Sequence, residues 1–334
     1  MNRLRIALDL DGSLEYLANS MTDLANALER RDDLDLVRFR SRSASRGSNE
    51  VRVRARRLYE PFWRHSWGPS IDDIIEGVDL VHVAGVATPP THRVPLVISV
   101  DDLRPLRRRR SDTQRVVQLV RAVRRGATLV VASHAARHEI QSMLGLERSE
   151  VLVVKPVVGH VPLTRDGNHL VISVAGETRR LMEWVPALQT FSQSRHARVA
   201  VVGSNSLRSS LRGTFLDGHL LSRRQAAEVI ARARVVVSLT DGARFPSFAV
   251  AALAAGVPTV ALASTTVREV LSGAATLVES PLDALGAVEE LWEDSATRRI
   301  CIAAGVARAS DYSAPSVASA YAQLYHAMSA SVSR

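Results

Sequence analysis

Short apolar runs alternate with stretches whose apolar residues recur every three or four positions, along almost the whole chain. A run of four to eight apolar residues bounded by turn signals suits a strand buried on both faces. The longer periodic stretches suit amphipathic helices. In the first half this predicts strands at residues 5–10, 35–39, 80–83, 96–100, 128–132 and 151–154, and helices at 14–29, 112–125 and 134–144. Ser133 is placed to cap the last of these, because a serine oxygen at that position accepts an otherwise unpaired helix N–H. The second half repeats the pattern. Strands are expected at 169–174, 198–202, 234–239, 259–262 and 275–278, and helices at 182–192, 222–232, 247–255, 267–271 and 281–292. The tail, 314–329, has apolar residues at helical spacing.

Strands that alternate with helices predict parallel sheets covered by helices. The stretch 158–168 is rich in Gly, Pro and polar residues and reads as a linker. The expected architecture is therefore α/β, with two doubly wound domains, 1–160 and 168–313, facing across a cleft. In such sheets ligands bind beyond the carboxyl ends of the strands. Residues 41–50 are rich in Ser and Arg without periodicity and read as a mobile loop.

Composition narrows the classes. A chain of 334 residues with 46% hydrophobic and 23% charged content is ordinary for a globular protein and long enough for two cores. No apolar run approaches the ~20 residues that span a bilayer. The first residues read as a strand and not as a signal peptide, and with them the expected location is the cytoplasm. The single cysteine, Cys301, excludes an internal disulfide and a cysteine-rich metal site. His82 and His134 lack ligand-like spacing with other His, Cys or acidic residues, so no metal is expected.

Net charge is +9, and Lys155 is the only lysine. Codon usage of a GC-rich genome explains an arginine excess of this kind. The arginines also cluster, as Arg52, Arg54, Arg56 and Arg57, as Arg104 and Arg107 to Arg110, and as Arg121, Arg124 and Arg125. Guanidinium groups bind phosphate in two-point fashion, so a phosphorylated acceptor or an anionic membrane surface is a second explanation. No helix-turn-helix, RNP or zinc-finger pattern points to nucleic acid. The stretch from Arg57 to Trp67 interleaves Tyr59, Phe62, Trp63 and Trp67 with arginines. It reads as packing on the first domain, with an acceptor site or a membrane contact as the alternatives.

The most informative segment runs Ala243-Arg244-Phe245-Pro246-Ser247-Phe248-Ala249-Val250-Ala251-Ala252-Leu253-Ala254-Ala255-Gly256-Val257-Pro258 between two predicted strands. It resembles the nucleotide-sugar motif of retaining glycosyltransferases of family 4, roughly Glu-Gly-Phe-Pro-x4-Glu-Ala-x-Ala-x-Gly-x-Pro. Val78-Asp79-Leu80-Val81-His82 followed by Pro89-Pro90 is similar to another family segment, as is Pro95 to Leu103. Asp311-Tyr312-Ser313 sits where many members have Phe-Ser-Trp. The resemblance covers nearly the whole chain. It implies a GT-B fold, with two Rossmann-like domains and a tail, 314–334, that packs back on the first of them.

The resemblance further implies transfer of a sugar from a nucleotide diphosphate donor to an acceptor hydroxyl, with retained stereochemistry and no obligatory metal or other cofactor. The acceptor would be a sugar, a lipid or a small molecule. The family's two motif glutamates fall on Ala243 and Ala251, its first-domain histidine on Asp101, and its Arg-Lys pair near Leu181 and Met182. Its glycine-rich first loop is reduced to Gly12-Ser13. The candidate catalytic residue is Asp101, either a contact to the sugar or a strand-end carboxylate paired with arginines. The candidate donor-binding residues are Gly12, Ser13, Gly176, Arg179, Arg180, Asp241, Arg244 and Ser247. Arg179 and Arg180 follow Gly176 and suit a diphosphate or a solvated helix start. Asp241 replaces a lost acid or forms a turn with Gly242. Arg244 stands at a family glycine position, where it binds an anion or fills the site. Ser247 is expected to cap a helix, with its N–H toward a phosphate. Two functions follow: a glycosyltransferase, or a non-catalytic relative that binds a partner transferase or a sugar nucleotide.

Overall fold

The computed structural model describes residues 3–11, 15–41, 50–51, 53, 59, 62–63, 68–85, 89–100, 113–159, 163, 167–175, 179–203, 206–216, 219–221, 225–240, 242, 244–293 and 295–332. The chain divides into two compact units. One comprises Met1–Gly159 with Ala314–Arg334, and the other His160–Ser313.

The first unit contains β1 (Leu4–Asp9), α1 (Glu15–Leu28), β2 (Leu34–Phe39), β3 (Glu50–Val51), α2 (Ile71–Ile74), β4 (Leu80–Ala84), β5 (Leu96–Ser99), α3 (Thr113–Arg124), β6 (Thr128–Val131), α4 (His134–Leu144) and β7 (Val151–Val153). The strand order is β3-β2-β1-β4-β5-β6-β7, and every pairing is parallel. The strands are short apolar runs because both sheet faces are covered. Ser133 caps α4 as expected, its Oγ accepting from Ala136 N at 3.0 Å. The same helix ends at Gly145 with φ 65°, a left-handed conformation that glycine adopts without Cβ strain.

The second unit contains β8 (His169–Ala175), α5 (Arg179–Met182), α6 (Val185–Arg195), β9 (Arg198–Val202), α7 (Ser206–Leu211), β10 (Leu220–Leu221), α8 (Ala226–Ile230), β11 (Ala233–Thr240), α9 (Ser247–Ala254), β12 (Thr259–Leu262), α10 (Thr265–Leu271), β13 (Thr276–Val278), α11 (Pro281–Glu293) and α12 (Ser295–Ala309). Its all-parallel sheet has the order β10-β9-β8-β11-β12-β13. Successive strand residues serve opposite faces. Ile172, Val235 and Val237 pack with Leu188 of α6 and Val288 of α11. Val171 and Val236 pack with Ile230 of α8 and Phe248 and Ala252 of α9. The expected α/β class with doubly wound sheets is thus what the chain forms.

The chain continues into α13 (Ala314–Val332), which belongs to the first unit. Val317, Ala318, Tyr321, Ala322 and Tyr325 form one apolar stripe on it, the three-and-four spacing of a buried helix face. They share a core with Met21, Leu24, Ala25 and Leu28 of α1 and with Ile6 and Leu8 of β1.

Three local expectations are corrected. The single helix expected at 182–192 is two helices, α5 and α6, with Trp184 between them. Pro186, in the first turn of α6, has no N–H to continue a helix from Met182. The helix expected at 222–232 is observed only as Ala226–Ile230, and residues 222–224 lie outside the described ones. The loop expected at 41–50 ends in strand β3 at Glu50, while residues 42–49 lie outside the described ones. Helix α12 was not expected at all. Its Gly305 weakens the local helix signal, yet a Cβ there would come within 2.7 Å of Leu253 Cδ2 on α9. The missing side chain is what lets the two helices approach.

Candidate functional site

In each sheet the winding direction reverses at one place, between β1 and β4 in the first unit and between β8 and β11 in the second. At such a switch the flanking helices lie on opposite faces and their connections diverge. This leaves a crevice beyond the carboxyl ends of the two strands.

In the second unit the strands turn polar at that end. Ser173 of β8 pairs in register with Ser238 of β11, and both are buried. Ser238 Oγ lies 3.0 Å from Thr240 Oγ1, also buried. These hydroxyls continue the face that carries Val171 and Val236, the face packed by α8 and α9. After β11 the chain turns through Gly242 at φ 62°. Ser264 Oγ donates to Gly242 O at 3.4 Å and accepts from Val267 N at 3.2 Å, so one hydroxyl links this turn to the start of α10. Phe245 is buried against Tyr312, with ring centroids 5.3 Å apart. Burial, chiefly, pushes the Tyr312 phenol up to about 12. The Phe-Pro motif and the Asp-Tyr-Ser segment, singled out separately in the sequence, therefore meet here.

In the first unit the carboxyl ends of β1 and β2 carry a buried charged cluster. Asp9, 1% exposed, accepts from Asp11 N at 2.9 Å and from Ser41 N at 3.2 Å, and also from Ser41 Oγ. Arg40 donates to both oxygens of Glu50, at 3.0 and 3.2 Å, and at 3.3 Å to Asp11 Oδ1 and to Leu10 O. The cluster ties the end of β1 to the segment that follows β2. Deeper in the same unit, His82 Nε2 lies 2.8 Å from Ser99 Oγ, and Ser99 Oγ lies 3.3 Å from Tyr321 OH.

Of the residues expected at a site, Gly12, Ser13, Asp101, Gly176 and Asp241 lie outside the described residues. Arg179 and Arg180 open α5, directly beyond the β8 connection, and their side chains are likewise outside the description. Arg244 is half-buried, with its Nη2 nitrogen inside the protein. Ser247 corrects its expectation. It is the first residue of α9 and not the cap, which is Pro246, and no side chain caps the helix. Its N–H donates to Phe245 O at 2.9 Å and is not directed at a ligand. The tight Phe245-Pro246 turn brings that carbonyl back onto it. Ala251, the position of the second family glutamate, packs against the apolar cluster under α9.

Sequence reading passed over Asp9, Asp11, Arg40, Ser41, Ser173, Ser238 and Thr240. The signal for Asp9 and Asp11 was present, as two acids closing an apolar strand. The hydroxyls were hidden because serine and threonine interrupt strands without consequence. No helix among the described residues is long and apolar enough to cross a membrane. No group of three or more His, Cys, Asp or Glu among them is placed to hold a metal ion.

No protein-family model matches the chain, and no curated protein sequence is similar to it. Solved structures do match in fold. Sucrose-phosphate synthase from Thermosynechococcus elongatus aligns with a TM-score of 0.71 at 14% identity, over 98% of this chain and 100% of that one. Anabaena Alr3699/HepE in complex with UDP-glucose aligns with a TM-score of 0.69 at 14% identity, over 98% and 100%. WaaG, a glycosyltransferase involved in lipopolysaccharide biosynthesis, aligns with a TM-score of 0.67 at 12% identity, over 96% and 99%. The chain spans about half the length of TarM, covering 54% of it. The fold is that of GT-B glycosyltransferase structures.

Proposed function

We propose that the chain is a glycosyltransferase-like protein of the retaining family 4 type, with altered motif residues, that binds a nucleotide diphosphate sugar in its second unit. The observation that carries this reading is the switch point of that unit. Buried hydroxyls of Ser173, Ser238 and Thr240 line the carboxyl ends of β8 and β11, and two arginines open α5 immediately beyond β8. A nucleotide sugar offers a diphosphate, which suits the two arginines, while the buried hydroxyls mark the polar floor of the switch point. The fold likeness to HepE, whose structure holds UDP-glucose, supports the same reading.

In the transfer step the bond from the sugar's anomeric carbon to the diphosphate oxygen breaks. A bond to the acceptor oxygen forms, and the acceptor proton is released. Charge accumulates on the leaving diphosphate, and Arg179 and Arg180 would neutralise it there. Asp101 would contact the transferred sugar. The acceptor would be a sugar, a lipid or a small molecule, reached in the cytoplasm or at an anionic membrane surface. The chemistry needs no metal or other cofactor. Titration with UDP-glucose, GDP-mannose and other nucleotide sugars, read by thermal shift and by donor hydrolysis, tests the proposal. A rise in melting temperature with turnover supports it. Absence of both with every common donor rejects it.

A second reading, a non-catalytic relative that binds a partner transferase, is favoured by one feature. Positions used for the donor in the family are closed here, since the Ser247 N–H is engaged by Phe245 O and Ala251 packs on the core. The Ala251→Glu variant separates the two. Tighter UDP-glucose binding with the fold intact favours a working site, and an unchanged affinity favours the partner role.

A further inference from the structure

A hollow of about 570 Å³ opens in the second unit at the end of the sheet opposite the Phe-Pro turn. His169 is the first residue of β8, Arg198 the first of β9, and Arg232 immediately precedes β11. All three line the hollow, together with His219 and with Glu228 of α8. Its existence follows from the short edge strand. Among the described residues β10 pairs only with Val201 and Val202, so the outer edge of β9 from Arg198 to Ala200 has no strand beside it.

The lining is built for polar contact. The Nδ1 atoms of His169 and His219 are both buried and have no hydrogen-bond partner. Buried ring nitrogens are ordinarily paired, and here two unpaired ones belong to residues that line one hollow. The fields of Arg198 and Arg232 reach His169. Burial first, and then these two cations, hold its imidazole below the usual range. An anion in the hollow would relieve that repulsion and pair with the guanidinium groups. Among the described residues Glu228 is the one carboxylate in the lining, and it suits a hydroxyl donor and not a second phosphate. The volume lies within the range of small-molecule sites.

We infer that this hollow is a second binding site, separate from the switch point, for a small phosphate monoester bearing hydroxyl groups. Its phosphate meets Arg198 and Arg232 beside the two histidines, and its hydroxyls meet Glu228.

The test uses the whole chain with glucose 6-phosphate, inorganic phosphate and glucose as probes, at fixed ionic strength. Calorimetry measures affinity, and NMR follows the ring resonances of His169 and His219. Glucose 6-phosphate is expected to bind and shift both rings, and glucose is expected to do neither. The double variant Arg198→Gln, Arg232→Gln changes two exposed side chains and should weaken glucose 6-phosphate at least tenfold without changing the melting temperature. His219→Gln gives an independent check with the same direction. Undiminished affinity in the double variant, or rings that do not respond to saturating glucose 6-phosphate, overturns the site. Inorganic phosphate binding as tightly as glucose 6-phosphate overturns the assignment of hydroxyls to Glu228.

Discussion

His82 Nδ1 and Tyr325 OH lie 2.7 Å apart inside the first unit, and both residues are 0% exposed. One is on β4 and the other on α13, 243 positions later. The phenol thus ties the last helix to the sheet by a buried polar contact as well as by apolar packing. Removing it with Tyr325→Phe leaves a buried imidazole nitrogen unpaired, which costs about 1–3 kcal/mol. Urea unfolding of the variant should show that loss. A midpoint equal to wild type would refute the role.

The same histidine sets a pH dependence. Burial lowers its pKa from 6.5 to about 3. The folded state therefore keeps it neutral while the unfolded chain takes up a proton below pH 6.5. Stability is unaffected by this group above that pH. It falls as pH drops from 6.5 towards 3, by at most about 1.4 kcal/mol per unit. Unfolding midpoints at pH 7.5 and 5.0 should differ more for wild type than for His82→Asn. Equal differences in the two proteins would exclude His82 as the cause.

Asp9 accepts hydrogen bonds from two backbone N–H groups and one hydroxyl. Asp9→Asn keeps an oxygen for the two N–H groups and reverses the Ser41 hydroxyl bond, but it removes the charge that strengthens all three. The expected cost is about 1–2 kcal/mol, measured by chemical denaturation, and an unchanged midpoint would refute it.

At Gly167 a Cβ would come within 2.1 Å of the Arg232 carbonyl oxygen, a backbone atom that cannot swing aside. Gly167→Ala should destabilise the second unit by roughly 1–3 kcal/mol. A melting temperature at or above wild type would show that the chain before β8 shifts freely.

If the proposed transfer is correct, the double variant Arg179→Ala, Arg180→Ala should lower kcat by roughly the 3–4 kcal/mol of a lost transition-state donor. Circular dichroism should show the fold intact. Full activity in that variant would remove both arginines from the mechanism.

The arginines Arg107 to Arg110 lie outside the described residues. Their clustering predicts flotation with anionic vesicles that weakens as salt rises, since exposed charge is screened over ~8–10 Å at physiological salt. Neutralising these four should abolish flotation, and neutralising Arg223 and Arg224 should not. Equal flotation with neutral vesicles would count against a charged membrane contact.

The sequence alone determined the alternation of the main strands and helices, because a buried parallel strand must be an apolar run and its covering helix must show a 3.6-residue stripe. Strands such as Arg198–Val202 and Thr259–Leu262, and helix His134–Leu144, were legible to the residue. So was the Ser133 cap, since its hydrogen bond closes within three residues. Elements whose reason lies elsewhere in the chain were not legible. Helix α12 depends on Gly305 meeting Leu253, and β10 and β3 are two-residue edges defined only by their partners. The site divides in the same way. The motif turn and Arg179 with Arg180 were visible as local strings. The pairing of Phe245 with Tyr312, the Ser173–Ser238 register and the contact of His82 with Tyr325 join residues 65 or more positions apart. Local pattern carries the cost of burying each residue, but only tertiary structure decides which buried polar group satisfies which, because that depends on the strand order that brings them together.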